Sequence, residues 1–254
     1  MNPISAVMIT LDEEQRIQAA LDSVRFCDEV VVIDAGSTDR TREIAAAAGA
    51  RVEVSAPWPG FVEQRSRAVA AARHDWVLAV DADERVTPAL QEEIRAAAHR
   101  GFDKSGYRLP RVTFYLGRWV RGTDWYPDPQ LRLFDRRRGG WKGGLIHESV
   151  VVEGPVGRLS GELEHFTYHD VADHLATIDR YTTLWAEQAR GEGRRAGMAE
   201  PLAAAAWAFV RNYVVRGGFH EGEAGLAVSV LNAHYTFVKL LKLRELVRED
   251  LRRR

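Results

Sequence analysis

A single cysteine, Cys27, stands in the 254 residues, so no disulfide can form within the chain and a reducing compartment suits it. Charge of one sign is also lacking. Against 35 Lys and Arg stand 36 Asp and Glu, and a net charge of −1 excludes the basic footprint of a nucleic-acid binder. No run approaches the roughly 18 apolar residues of a membrane span. The longest candidate, "PLAAAAWAFV" (201–210), stops at Arg211. The opening "MNPISAVMITLDEEQR" has no basic segment and turns acidic by Asp12, so no secretory leader is expected. These absences predict a cytoplasmic protein, soluble or peripheral to a membrane. Internal repeats and low-complexity linkers are missing too, and "TLDEEQRI" contains no glycine to cradle a phosphate.

What is present begins as alternation. With 46% apolar residues, the chain is long enough for one large domain or one domain with an appendage. "ISAVMIT", "EVVVIDAG", "RVEVS" and "DWVLAVD" read as strands. Between them, "DEEQRIQAALDSV", "STDRTREIAAAAGA" and "GFVEQRSRAVAAARH" carry apolar residues at helical spacing. Asp12 is the expected N-cap of the first helix, and Ser37 or Thr38 of the second. Such alternation predicts an α/β fold with a mostly parallel sheet. Ligands of these sheets bind at the carboxyl ends of strands, where Thr10, Asp34 and Asp81 all fall. After a helix at 87–100, residues 106–122 read as aromatic-rich strands, 124–154 mix short strands with turns, and 171–190, 201–216 and 224–249 read as helices.

The strand "VLAVDADERV" ends by crowding Asp81, Asp83 and Glu84 together, and like charges this close call for a positive partner. Alternate residues on an extended chain point the same way, so Asp81 and Asp83 can face one Mg²⁺ or Mn²⁺ that also holds a substrate phosphate. A solvated acidic turn is the plainer reading. A phosphatase of the haloacid dehalogenase type is disfavoured by Arg85 and by the position after the fourth strand.

In order, "VMITLDEE", "VVVIDAGSTDRTREIA", "GFVEQRSRAV" and "DWVLAVDADERV" resemble the family 2 inverting glycosyltransferases of GT-A fold. "LRLFDRRRGGWKGGLIHESV" and "HFTYHDVADHLATIDRYT" resemble a narrower branch that includes bacterial lipopolysaccharide core glucosyltransferases. The resemblance implies a GT-A catalytic domain over 1–168 (1–100 for the nucleotide-sugar, 101–168 for the acceptor) and a helical region over 169–254. It implies a UDP-sugar donor, a divalent cation, and a glycan or lipid-linked acceptor such as lipopolysaccharide core. Thr10, Glu14, Asp34, Gln64, Arg65 and Asp81 match donor-contacting positions, with Asp39 holding the "GSTD" turn. Asp83, together with Asp81, matches the metal-binding pair, and Glu84 stands behind it. His165 is a candidate additional metal ligand, although "HFTYH" reads as extended and a structural role is the alternative for it and His169.

An inverting transfer needs a carboxylate to take the acceptor hydroxyl's proton. The acceptor-side segment offers Asp124, Asp128, His147 and Glu148. Glu148, in a Gly-x-x-His-Glu pattern, is the expected base, with His147 orienting it and Asp128 the alternative. Trp125, Tyr126 and Trp141 are candidates for stacking on a sugar, and Arg136, Arg137 and Arg138 for docking a phosphorylated acceptor. In the last helix Leu226, Val230, Phe237 and Leu241 share a face beside Lys239, Lys242 and Arg244, which suits a membrane interface on the cytoplasmic side or packing on the other helices, on the catalytic domain or within a homo-oligomer. Two readings compete with the transferase. A nucleotide-sugar-binding scaffold would not need the intact Asp81 and Asp83, and a nucleotidyltransferase would carry the glycine-rich loop that is missing.

Overall fold

The structure, a computed structural model, describes residues 2–143 and 148–252; His147 lies outside the described residues. Two compact units divide the chain, and neither is continuous in sequence. One comprises Met1–Val112 and Asp128–His165, the other Thr113–Pro127 and Phe166–Arg254.

In the first unit the expected alternation is realised as β1 (Ile4–Thr10), α1 (Ile17–Ser23), β2 (Glu29–Asp34), α2 (Thr41–Ala47), β3 (Arg51–Val54), α3 (Phe61–Ala71) and β4 (Trp76–Ala79). Then follow β5 (Glu84–Val86), α4 (Pro88–Arg100) and β6 (Gly106–Tyr115); β7 (Arg118–Val120) falls in the second unit. The first unit closes with β8 (Asp128–Asp135), β9 (Gly139–Gly143), β10 (Glu148–Val152), β11 (Val156–Arg158) and β12 (Leu163–His165). The sheet order is β3-β2-β1-β4-β8-β6-β12-β5. The first four strands are parallel, and β8 and β6 run antiparallel beyond them. Strand order therefore reverses at β1, between β2 and β4, the kind of point where open α/β sheets bind ligands.

The apolar runs of β1 and β4 follow from burial on both faces. Ile4, Ala6 and Met8 alternate with Val7, and Trp76, Leu78 and Val80 with Val77 and Ala79. One set packs on α1, α2 and α4 through Ile17, Leu21, Ala45, Leu90 and Ile94; the other packs on α3 through Ala68 and Val69. Two expected caps are not formed. Asp12 adopts φ 54° and accepts from Thr38 N instead, while α1 starts only at Ile17. Ser37 is bonded to Asp34, and α2 starts at Thr41.

In the second unit Thr113–Tyr115 pairs antiparallel with β7, and α5 (Val171–Gly191), α6 (Glu200–Val210), a π-helical segment (Arg211–Val215) and α7 (Gly222–Arg252) follow. Gly225 lets α7 approach the preceding turn closely: a Cβ there would lie 1.9 Å from the Gly218 carbonyl oxygen. The expectation that 201–210 is the longest apolar candidate needs correcting. The helical stretch Gly218–Asp250 contains an 18-residue window of mean hydropathy 1.2, enough by length and composition to cross a membrane.

Candidate active site

The loops after β1 and β2 are laced together by reciprocal bonds between side chains and backbone. Asp12 N donates to Ser37 Oγ and Glu13 N to Thr41 Oγ1 at 2.9 and 2.7 Å, and Glu14 N donates to Asp39 Oδ2 at 3.0 Å. In return Thr38 N donates to Asp12 and Arg40 N to Glu14 Oε2 at 2.7 and 3.1 Å. Asp34 is fully buried at the end of β2, level with Thr10 in the parallel register. Its carboxylate accepts from Thr10 Oγ1 and from the backbone of Gly36 and Ser37 at 2.8–3.0 Å, and from Ser37 Oγ. Four donors occupy most of its lone-pair directions, so a nucleobase N–H would have to displace one of them.

Beyond β4 the crowded carboxylates separate into two environments. Asp81 is gripped in bidentate fashion by Arg65, Nη1 to Oδ1 at 2.7 Å and Nη2 to Oδ2 at 3.0 Å, and again by Arg132 Nη2 at 2.7 Å. Glu84 is fully buried on β5; it accepts from Arg132 Nη2 at 2.9 Å, Arg111 Nη1 at 3.1 Å and Asp81 N at 3.1 Å. Burial alone would raise the Asp81 carboxyl, but the Arg132 and Arg65 guanidinium groups outweigh it and hold it well below the usual carboxylate range. Arginines are thus the positive partners of Asp81 and Glu84. Asp83 faces elsewhere: the antiparallel pairing of β12 with β5 sets His165 opposite Glu84, and His165 Nε2 lies 3.3 Å from Asp83 Oδ2.

Among the described residues no three His, Cys, Asp or Glu are gathered as a metal-binding group. The donor chemistry nevertheless fits a small cation at Asp83 and His165. Adjacent ligands on an octahedral ion with bonds of about 2.1 Å stand about 3 Å apart, close to their observed 3.3 Å. Nearby, burial pushes the Glu13 carboxyl up to about 7, and Asp83, Asp39 and Asp81 push it further against the opposing pull of Arg16.

A cavity of about 450 Å³ opens beside this network, lined by Asp81, Arg65, Arg111, Arg132, Trp141 and Glu148 among others. Arg65 lies over the Trp141 ring, its Cζ 4.4 Å from the centroid, with its Nε 3.9 Å from Glu148 Oε1. Glu148 therefore shares a cavity with Arg65 and Asp81. Asp128 is bound by Arg111 through Nε and Nη2 at 3.0 and 2.6 Å and by Gln130 at 2.6 Å. Gln64, on α3, is fully buried, and neither polar atom of its amide has a partner among the described residues. Asp124 lies in the second unit, tied to Arg211, Arg216 and Asn212. Sequence reasoning missed Arg132 and Arg111. The signal was a cation at Arg132 inside the apolar run "LRLF", since a charge on a buried strand requires a partner.

A mostly parallel sheet flanked by helices, with side-chain carboxylates gathered beyond the ends of β1, β2 and β4, is an architecture of GT-A type. The family described as Glycosyl transferase family 2 matches residues 5–150. A glycosyltransferase of Rickettsia typhi is 31% identical over 97% of this chain and 88% of its own length. The lipopolysaccharide core biosynthesis glycosyltransferase LpsC of Rhizobium meliloti is 28% identical over 95% and 92%. A solved glucosyl-3-phosphoglycerate synthase of Mycobacterium tuberculosis, in complex with Mn²⁺, UDP and glucosyl-3-phosphoglycerate, is 30% identical over 46% of this chain and 45% of its own, with a TM-score of 0.35. The chain belongs to glycosyltransferase family 2 and is a glycosyltransferase.

Proposed function

We propose that the chain moves a hexose from a UDP-sugar, with inversion, to a hydroxyl of a glycan or lipid-linked glycan acceptor of the lipopolysaccharide core kind, at the cytoplasmic side of a membrane. The observation that carries the reading is the shared cavity, in which Glu148 stands 3.9 Å from the Arg65 that grips Asp81. Likeness to LpsC over almost the full length supports the acceptor class.

In this reading Glu148 accepts the proton of the attacking hydroxyl. Asp128 is the weaker candidate, because two bonds from Arg111 and one from Gln130 already occupy its carboxylate and leave less of it open to an acceptor hydroxyl. Asp83 and His165 would hold a divalent cation, which when bound neutralises charge on the leaving diphosphate. Arg65 adds a fixed positive charge, its guanidinium oriented by Asp81 and by the face of Trp141. Gln64, buried with no partner among the described residues, supplies an amide for the donor to satisfy. Thr10, Asp34 and the laced loops through Glu14 and Asp39 shape the nucleoside end.

The test is thermal unfolding with a panel of nucleoside diphosphates and their sugars, with and without Mn²⁺. A ligand at one hundred times its dissociation constant adds about 2.7 kcal/mol. UDP is expected to raise the melting point with metal, and Asp83→Ala to abolish the metal-dependent part. No shift with any nucleotide at saturation would refute the donor assignment.

A further inference from the structure

Two candidate segments of the second unit differ in how they meet solvent. In α7 three basic side chains, Lys239, Lys242 and Arg244, are engaged within the unit. Lys242 donates to Asp179 Oδ1 at 2.6 Å, Lys239 lies over the rings of Trp185 and Tyr235 at 4.8 and 5.0 Å, and Arg244 donates to the Ala196 carbonyl at 3.1 Å. Val228, Leu240 and Leu243 of the same helix are buried.

α6 is different. Residues 201–210 carry no charge, yet Leu202 is 70% exposed, Trp207 60% and Val210 41%. The apolar surface continues along the π-helical segment at Val214 and Val215, 56% and 65% exposed, and reaches Phe219 at 49%. Ala203, Trp207, Val210 and Val214 recur at intervals of three and four, so they form one stripe rather than scattered residues. A contiguous apolar surface of this kind is an interaction site.

Charge identifies the occupant. Residues 194–220 contain four arginines and one carboxylate, Glu200, in a chain whose net charge is −1. Glu200 pairs with Arg194, and Asp124 is shared by Arg211 and Arg216, so the rim stays positive by two. A second copy docked across a two-fold axis would set these arginines against themselves. An anionic lipid surface meets both demands: Trp and Phe settle at the depth of the headgroups, and arginines at the edge keep contact with phosphates. We propose that α6 and the π-helical segment form an interfacial anchor that lies in the headgroup region of an anionic membrane. Its use for a lipid-linked acceptor rests on the function proposed above; the binding itself does not.

The test is co-sedimentation of the full chain with vesicles of phosphatidylcholine alone and of phosphatidylcholine with phosphatidylglycerol at about three to one. Wild type is expected to bind the anionic vesicles, more weakly as salt rises and more weakly still to neutral ones. The double variant Leu202→Glu, Trp207→Glu is expected to lose about tenfold or more in partitioning. Val54→Glu, at a residue 55% exposed on β3, is expected to bind like wild type. Nucleotide-dependent thermal shifts in the double variant show that it is folded and separate this proposal from the donor assignment. Absence of binding to anionic vesicles, or unchanged binding by the double variant, would overturn the proposal. So would a wild-type dimer in solution that the double variant converts to monomer, because the face would then be covered by a second copy.

Discussion

Arg132→Met removes the guanidinium that Asp81 and Glu84 share. Arg132 is 4% exposed and Glu84 fully buried, so both charges are out of water. Removing one partner of a buried pair costs about 3–5 kcal/mol, because the other charge is left behind. Here Glu84 keeps Arg111 at 3.1 Å and Asp81 keeps Arg65 at 2.7 Å, which places the expected cost at the lower end, about 3 kcal/mol. Glu84→Gln is milder, about 1–2 kcal/mol, since Arg132 remains on Asp81 and Arg111 on Asp128 and no charge is orphaned. Because both changes act on one network, the double variant should cost less than their sum. Equilibrium urea unfolding at neutral pH measures all three. Acid adds an independent check. Asp81 has its folded pKa held below the unfolded value, so its stabilisation is complete above about pH 4 and is lost as pH falls through the folded value. Without Arg132 that folded value rises, and the acid limb of the stability profile becomes shallower. Arg132→Met within about 0.5 kcal/mol of wild type, or Glu84→Gln costing more than Arg132→Met, would refute the reasoning.

Two further outcomes are expected. Glu148→Gln should lower transfer by a factor on the order of 10² to 10⁴ while UDP still shifts the melting point, whereas Asp128→Asn should cost less than about tenfold; the reverse order in an assay of UDP release would make Asp128 the base. Glu13 has its folded pKa raised from 4.5 to about 7, so it opposes folding increasingly as pH climbs through that interval. Glu13→Gln should therefore be more stable than wild type near pH 8 and no different near pH 4, a comparison made by melting in both buffers.

Much of the first unit was legible in the sequence because its signals are local. The apolar runs of β1 and β4 and the helical spacing between them mark elements whose order alone implies a parallel sheet, and with it the strand ends where Thr10, Asp34 and Asp81 fall. Helix starts were less legible. Asp12 and Ser37 have good cap chemistry, but each found a partner on the neighbouring loop, a contact between residues 25 or 26 positions apart that no local rule anticipates.

Sequence by itself determined that the chain carries crowded carboxylates needing positive charge, and that these stand at a ligand-binding edge. Only the tertiary structure decided which positive charge goes where. Arg65, Arg111 and Arg132 come from α3, β6 and β8, and their meeting with Asp81 and Glu84 depends on the antiparallel placement of β8 and β6 beside β4. The same holds for His165, which reaches Asp83 because β12 pairs with β5. It holds again for α6 and α7, where packing set which apolar residues stayed exposed. Electrostatic and hydrophobic free energies depend on distance and solvent access in space, and a linear pattern encodes the need for a partner without encoding its position.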